Sequence, residues 1–384
     1  MKIVFTGSTG GHFYPLIAVA EAIQDIVAEN QLLSPRFYYM APQPFDERAL
    51  FENNIEFIKT PAGKMRRYAS FLNFTDAFVT LSGVITCYFI LLKLYPDVIF
   101  SKGGYASVPT VIAARLLGIP VVIHESDAKP GRANLLAAKS AKKIAVSFDS
   151  TAQYFPANAQ GRIARTGIPI RKALMKPEVE GASALLQLDP NVPTVLILGG
   201  SSGSKRINEM VLTGLPDMVS SLNIIHQTGR DNYDEVASTA HVILENNPNV
   251  SRYHPYGYLS ADALRQAASA ANVIVSRAGA TAIAEIALWQ RPAILVPIPE
   301  SISHDQRTNA YAYAHSGAAV VLEEANMTPH VLASEAKRIA SDATLGAQMA
   351  AKGAAFASPD AARLVATELL KIAVSHTPEP EPKK

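Results

Sequence analysis

Three glycine-rich stretches, each with polar residues beside it, hold most of the side chains in this sequence that can do chemistry. The first, Gly7-Ser-Thr-Gly-Gly-His12, interrupts an apolar run. It lacks the G-x-G-x-x-G spacing of a dinucleotide site and no Walker lysine follows, so by itself it marks only a close approach of ligand to backbone. His12 falls at a turn or first helical position, where the helix dipole disfavours imidazolium. A neutral imidazole at a strand exit suits a general base near neutral pH. The second stretch, Gly199-Gly-Ser201-Ser-Gly203, offers backbone N–H groups and hydroxyls to a phosphate. The third runs from Val275 through Ser276, Arg277 and Gly279 to Glu285. A strand there enters a turn and a helix near Thr281, so unpaired N–H groups and the dipole form an anion site. Glu285 lies one turn deeper on the same face, where a carboxylate accepts two hydroxyl hydrogen bonds from a ribose. The competing reading is a glycine-capped turn with Arg277 and Glu285 solvated. The first reading is a nucleotide-diphosphate site.

Two more polar clusters sit at strand exits. His124-Glu125-Ser126-Asp127 holds one imidazole and two acids with no distant partner, a poor metal set, so no metal site is expected. The chain contains no Asp-x-Asp, which counts against transferases that grip a sugar diphosphate through a cation and favours helix ends and hydrogen bonds. His304-Asp-Gln-Arg-Thr-Asn309 follows a proline-rich exit, and its amide and carboxylate side chains suit sugar hydroxyls.

The elements that must position these residues alternate. Apolar runs at Lys2–Thr6, Arg36–Ala41, Ile55–Lys59, Asp97–Ser101 and Pro120–His124 read as strands, with helices at Pro15–Val27 and Val108–Leu117. A second cycle has strands at Thr194–Leu198, Asn223–Gln227, Val273–Val275 and Pro292–Val296, and helices at Leu259–Ala271, Asn309–His315 and Pro329–Ala340. Alternation with glycines at strand exits predicts an α/β protein of two Rossmann-like, doubly wound parallel-sheet domains, joined by a linker within Phe155–Arg171. A length of 384 residues suits two domains, and one cysteine, Cys87, excludes an internal disulfide framework. The net charge of +2 argues against a dedicated nucleic-acid binder. Residues 1–162 carry 16 Lys and Arg against 12 Asp and Glu, whereas residues 163–355 carry 15 against 17, so the amino half is the one suited to an anionic surface. The short run Ile3–Thr6 is too brief for a secretion signal.

Lys64, Arg66 and Arg67 precede Phe71, Phe74 and Phe78, and Ala77–Leu92 is free of charge. These 16 uncharged residues fall short of the roughly 20 a spanning helix needs. The expectation is a helix that is part core, with its front end and basic loop on a membrane surface, so that Lys64 to Leu92 would hold the N domain there.

In this order the motifs resemble the MurG family of peripheral N-acetylglucosaminyltransferases. The likeness covers Gly7 to about Ala340: the first glycine loop, Lys102-Gly-Gly-Tyr105, His124-Glu125, Gly199-Gly-Ser201, His226-Gln-Thr-Gly229, Ser276 to Glu285, and Gln306-x-x-Asn309-Ala310. It implies a GT-B fold, with 1–162 as acceptor and membrane domain, 163–355 as donor domain, a helix at about 356–375 returning to the first, and a disordered tail at 376–384. It also implies inverting transfer of GlcNAc from UDP-GlcNAc to the C4 hydroxyl of the MurNAc unit of lipid I, without metal or cofactor, at the cytoplasmic face of the bacterial cell membrane. Carried over by position, His12, Glu125 and Asp127 would be catalytic. Thr9, Gly10, Gly11, Arg171 and Ser201 would serve the donor, as would Leu259 through its backbone, Ala280, Thr281, Glu285 and Gln306. Gly104, Tyr105 and His124 would face the acceptor, beside Gly10 and Gly11. Three departures stand out. The family's His-Glu-Gln-Asn is His124-Glu125-Ser126-Asp127, its Gly-Asn-Pro-Val-Arg is Gly167-Ile-Pro-Ile-Arg171, and Ser202 stands where Gln is frequent. Asp127 would therefore hold hydroxyls or join the proton transfer. The rival readings are a diacylglycerol-type lipid glycosyltransferase, a UDP-GlcNAc 2-epimerase and a non-catalytic nucleotide-sugar-binding subunit.

Overall fold

A computed structural model describes residues 1–8, 10–64, 72–175, 180–200, 202–302 and 304–376. Thr9, Arg66, Arg67, Phe71, Ser201 and the tail from 377 onward, all named above, lie outside the described residues. The chain divides into two compact units, one made of Met1–Arg171 with Pro359–Lys384 and the other of Lys172–Ser358.

In the first unit β1 (Lys2–Thr6), β2 (Arg36–Ala41), β3 (Ile55–Lys59), β4 (Val98–Ser101), β5 (Val121–Glu125), β6 (Lys143–Val146) and β7 (Ile163–Arg165) form a parallel sheet in the order β3-β2-β1-β4-β5-β6-β7. Ile163 pairs with Ile144 of β6, so this unit continues past residue 162, the expected boundary, to Arg171. The second unit holds β8 (Thr194–Leu198), β9 (Asn223–Gln227), β10 (Tyr253–Tyr256), β11 (Val273–Ser276), β12 (Ala293–Leu295) and β13 (Ala319–Val321), again parallel, in the order β10-β9-β8-β11-β12-β13.

Each order reverses once, between β1 and β4 and between β8 and β11. Loops leaving neighbouring strands at such a point diverge to opposite faces of the sheet and open a crevice at the strands' carboxyl ends. Topology therefore selects which loops meet. In the first unit they are the ones after Thr6 and Ser101, and in the second the ones after Leu198 and Ser276. All four carry motifs read from the sequence.

Both faces of the first sheet are covered. On one, Ile3 and Phe5 share a core with Leu16, Val19 and Ile23 of the helix Tyr14–Glu29 and with Val365, Leu369 and Ala373 of the last helix, Ala361–His376. On the other, Val4, Ile99 and Ile123 join Cys87 and Leu91 of the helix Leu72–Leu94. That helix has 23 residues, longer than the charge-free run suggested, because Asp76 and Lys93 extend it without breaking helical geometry. Gly83 lets it approach closely, since a Cβ there would lie 2.1 Å from the Pro61 carbonyl oxygen. Its outer face exposes Phe74, Phe78, Leu81, Ile85, Phe89 and Leu92, a single apolar stripe at helical spacing. By length and composition Phe74–Leu94 is apolar enough to cross a membrane, with mean hydropathy 1.9 and only 17% of it buried.

Candidate active site

In the first unit the loops after β1 and β4 touch. The Ser8 amide donates to the Gly103 carbonyl at 3.2 Å. Gly104 has φ +77°, and a Cβ on it would stand 2.3 Å from Ser8 Cβ, so both backbone geometry and space require glycine. Gly10, Gly11 and His12 form a 3-10 turn ahead of the first helix, and Tyr105 starts another, with its side chain half-buried. His12 Nδ1 lies 2.9 Å from the Lys102 carbonyl oxygen. A carbonyl only accepts, so the proton is assigned to Nδ1 and Nε2 becomes the acceptor nitrogen of the neutral ring. That is the tautomer a general base needs.

Behind this loop sits a buried polar cluster. Lys102 is 1% exposed, with Nζ 2.6 Å from His124 Nδ1 and 2.5 Å from Ser126 Oγ. His124 is fully buried and its Nε2 donates to the Gly167 carbonyl at 2.8 Å. Burial, and then the Lys102 ammonium, holds its pKa well below the usual imidazole range. With both ring nitrogens engaged inside the unit, His124 is corrected from an acceptor-facing residue to an internal brace.

Glu125 is corrected too. It is 2% exposed, and its Oε1 accepts the Asp127 amide at 3.0 Å. Oε2 accepts the Gly131 amide at 3.0 Å and Asn134 Nδ2 at 2.9 Å. Burial, and next the neighbouring Asp127, raises its pKa above the usual carboxylate range, while those N–H donors pull the other way. A carboxylate holding three N–H groups fixes the turn beneath the site and is not placed to take a substrate proton. Asp127 is the partly exposed acid of this loop. The departure at Ser126 has a structural answer, since its hydroxyl is a partner of Lys102. Arg171, the last residue before the second unit, lays its guanidinium over the Tyr14 ring at 3.9 Å.

In the second unit the loop after β8 turns at Gly200 (φ +90°) and Gly203 (φ +74°). A Cβ at Gly203 would fall 2.0 Å from the Thr228 carbonyl oxygen, so the loop lies hard against the exit of β9. Gln227 joins neighbouring loops, with Nε2 donating to the Gly200 carbonyl at 3.2 Å and Oε1 accepting the Leu259 amide at 3.0 Å. A nucleobase would meet the Leu259 amide only in exchange for Gln227. His226 lies buried between Tyr253 Oη at 3.0 Å and Asn208 Oδ1 at 3.1 Å, and burial pushes its imidazole down to about 3.

The helix Ala280–Leu288 begins one residue earlier than expected, behind Gly279, with no side chain capping it. Gly279 has an ordinary φ of −66° and nothing lies near its missing Cβ. The fold therefore does not force this glycine; what it leaves is a bare approach to first-turn N–H groups. Ala280 is buried at the tip, with Thr281 and Glu285 half-buried beyond it. Arg277 is not a solvated side chain. It donates to Ser204 Oγ at 2.6 Å and to the Val296 carbonyl at 3.2 Å, and pairs with Glu324. Asn309 is fully buried and ties the Ala278 carbonyl at 3.4 Å, while Gln306 Oε1 accepts the Ile298 amide at 3.2 Å. Of the 304–309 motif, Asn309 thus braces the loop before the helix and is not exposed to read a sugar. Among the described residues no group of three or more His, Cys, Asp or Glu is arranged to hold a metal ion.

Lys102 and Gln227 stood inside motifs without a role of their own, and Arg277 was read only as a solvated side chain. Their signal was a long polar side chain at the end of a buried strand, where each finds partners on adjacent loops.

Two parallel-sheet units with glycine loops at their switch points form the GT-B architecture, and matches to two family models make the protein a glycosyltransferase. The glycosyltransferase family 28 N-terminal domain matches residues 3–146 and the C-terminal domain of that family residues 194–365. A UDP-N-acetylglucosamine--N-acetylmuramyl-(pentapeptide) pyrophosphoryl-undecaprenol N-acetylglucosamine transferase from Treponema denticola is 35% identical over 341 residues, covering 86% of this chain and 85% of the relative. A Bacillus cereus relative with the same name, numbered 2, is 35% identical over 329 residues, covering 85% and 88%. The crystal structure of Acinetobacter baumannii MurG aligns with a TM-score of 0.72 at 27% identity, over 96% of this chain and 99% of that one. The chain belongs to the MurG family. UDP-GlcNAc 2-epimerase from Neisseria meningitidis, at 13% identity and TM-score 0.69 over 97% and 100%, shares the fold alone.

Proposed function

We propose that this enzyme transfers GlcNAc from UDP-GlcNAc to the C4 hydroxyl of the MurNAc unit of undecaprenyl-diphospho-MurNAc-pentapeptide, converting lipid I to lipid II. The observation that carries the reading in this chain is the proton-accepting tautomer of His12, in a chain whose relatives bear that transferase name. His12 Nε2 takes the C4 hydroxyl proton as the oxygen attacks the anomeric carbon. The bond from that carbon to UDP breaks, the electron pair leaves with the diphosphate, and the sugar inverts from α to β. In the second unit the uncapped tip at Ala280-Thr281 stabilises the departing charge and Glu285 holds the ribose, so no divalent cation is needed. Asp127 orients the acceptor, and Tyr105 and the first glycine loop pack against it.

Incubation of the full chain with radiolabelled UDP-GlcNAc, a lipid I analogue or diacylglycerol, and a chelator tests this. Labelled disaccharide-lipid is the expected product; labelled diacylglycerol, or a need for added metal, overturns the reading. Glu285→Ala is expected to weaken UDP-GlcNAc binding by about 1–3 kcal/mol, as for a lost hydrogen bond to a charged group. Calorimetry checks this, and wild-type affinity would remove Glu285 from the ribose.

We further assign the apolar stripe Phe74 to Leu92 to the cytoplasmic face of the membrane, with the enzyme peripheral there. The packed inner face of that helix, with Cys87 and Leu91 fully buried, supports a helix lying on the surface over one crossing it. Phe78→Asp with Phe89→Asp should lower partitioning into anionic vesicles at least tenfold, since burying one Phe is worth about 1.5–3 kcal/mol. Turnover of a short-chain soluble acceptor should stay at the wild-type level. Equal vesicle binding by both proteins would move the membrane contact elsewhere.

A further inference from the structure

The last residue of β9 carries a side chain to which the transfer described above gives no task. Gln227 is 7% exposed, and its carboxamide reaches the exits of both neighbouring strands. On one side Oε1 accepts the Leu259 amide at 3.0 Å, just beyond β10. On the other, Nε2 donates to the Gly200 carbonyl at 3.2 Å, in the loop after β8. Because β9 lies between β10 and β8, one side chain ties together the loops of three adjacent strands.

The other joins among these loops are backbone or crowded glycine. The Thr228 amide donates to the Tyr256 carbonyl at 2.9 Å. A Cβ at Gly229 would lie 2.5 Å from the Ser202 carbonyl oxygen. Leu259 is 3% exposed, and Ser260 beside it caps the helix Ala261–Ala270 by accepting the Ala263 amide at 3.3 Å. The Leu259 N–H is thus held in place, whereas a glutamine carboxamide moves by rotation about its own single bonds. Its departure would not strip the Gly200 carbonyl, which also accepts the Gly203 amide at 3.1 Å. The Leu259 N–H would be stripped, and a buried donor left unpaired is strongly disfavoured. A replacement must therefore bring an acceptor oxygen to the same point. A carboxamide sets a carbonyl beside an N–H in one plane, and so does the C4–N3 edge of uracil.

We propose that Gln227 is the stand-in for the nucleobase: a uracil carbonyl takes the Leu259 amide by exchange with Gln227 Oε1, and the departing carboxamide lets go of the Gly200 carbonyl. This rests on the donor assignment of the second unit made above. Base recognition then reaches the loop after β8 through a side chain, before any phosphate touches that loop.

The exchange has a sign that a plain support role lacks. Eviction opposes binding, so Gln227→Met in the full chain, which has no carboxamide to evict and leaves the Leu259 N–H waiting for a partner, should bind uridine roughly three- to tenfold more tightly than wild type. UDP should gain by a similar factor. Gln227→Ala, which leaves room for a water on that amide, should change in the same direction and serves if the Met variant folds poorly. Calorimetry measures UDP, and ¹⁵N NMR titration measures uridine. The Gly203 amide resonance reports on the Gly200 carbonyl to which it donates. Uridine, though it has no phosphate, should move that resonance in the wild type and leave it still in Gln227→Met. A residue that only supports the loops would weaken both ligands when replaced. Unchanged or weaker uridine binding in a folded variant overturns the exchange, and wild-type UDP binding then leaves the donor assignment standing. A wild-type protein that binds neither uridine nor UDP refutes the donor assignment and the exchange with it.

Discussion

Replacing His12 with Ala is expected to lower turnover about a hundred- to ten-thousand-fold, the range lost with a positioned general base, and to leave UDP affinity unchanged. The second half of that prediction follows from location. His12 belongs to the loop after β1, whereas the uncapped helix Ala280–Leu288, assigned to the diphosphate, belongs to the other compact unit. His12→Asn separates two roles of the ring. Its amide can still donate to the Lys102 carbonyl, as Nδ1 does, but it has no basic nitrogen. An Asn variant as slow as Ala makes the lost function proton acceptance; recovery by Asn would make it loop support. Steady-state kinetics with the lipid I analogue, paired with UDP calorimetry, decide this. Turnover within threefold of wild type would remove His12 from the chemistry.

The second large effect concerns Glu125, first read as a catalytic candidate. Glu125→Ala removes the acceptor for the Asp127 and Gly131 amides and for Asn134 Nδ2, all in or near a buried turn. Leaving those donors unpaired should cost about 3–5 kcal/mol of stability, comparable to breaking a buried charged pair. Asp127→Ala, at a partly exposed position, should change stability by no more than about 0.5 kcal/mol and act on turnover alone. Denaturant titration of both variants separates a brace from a base. A Glu125→Ala protein as stable as wild type but inactive would restore Glu125 to the reaction.

These two carboxylates mark how far the sequence could be read. Strands β1, β2, β3, β8 and β9 were legible to the residue: β1, β2 and β8 hold unbroken apolar runs, β3 alternates around Glu56, and β9 carries the pair Ile224-Ile225 ahead of its polar exit. Strands β6, β7 and β13 are only three or four residues long, too short for period or composition to separate them from loop. Strand β10 carries Pro255, which reads as a breaker but is tolerated on the edge strand of its sheet. At the site, the glycines were legible because left-handed or crowded backbone demands them, as at Gly104 and Gly203. The direction of polar side chains was not. His124 and Glu125 close β5, an interior strand between β4 and β6, and their partners come from residues as distant in sequence as Lys102 and Gly167. Alternation along a strand says which face a residue takes, and nothing about whether a loop far along the chain will cover it. The same blindness made Arg277 look solvated, when Ser204, Val296 and Glu324 enclose it.

The last helix, Ala361–His376, has a consequence for how the protein is made. Its Val365, Leu369 and Ala373 complete the core begun by Ile3, Phe5 and Leu16. The second unit, Lys172–Ser358, is one uninterrupted stretch and is finished on the ribosome before that helix emerges. Domains ordinarily mature from the amino end during synthesis. Here the order is inverted: the unit started first is closed last, with the part of one sheet face beside the helix Tyr14–Glu29 waiting for nearly the whole chain to be translated.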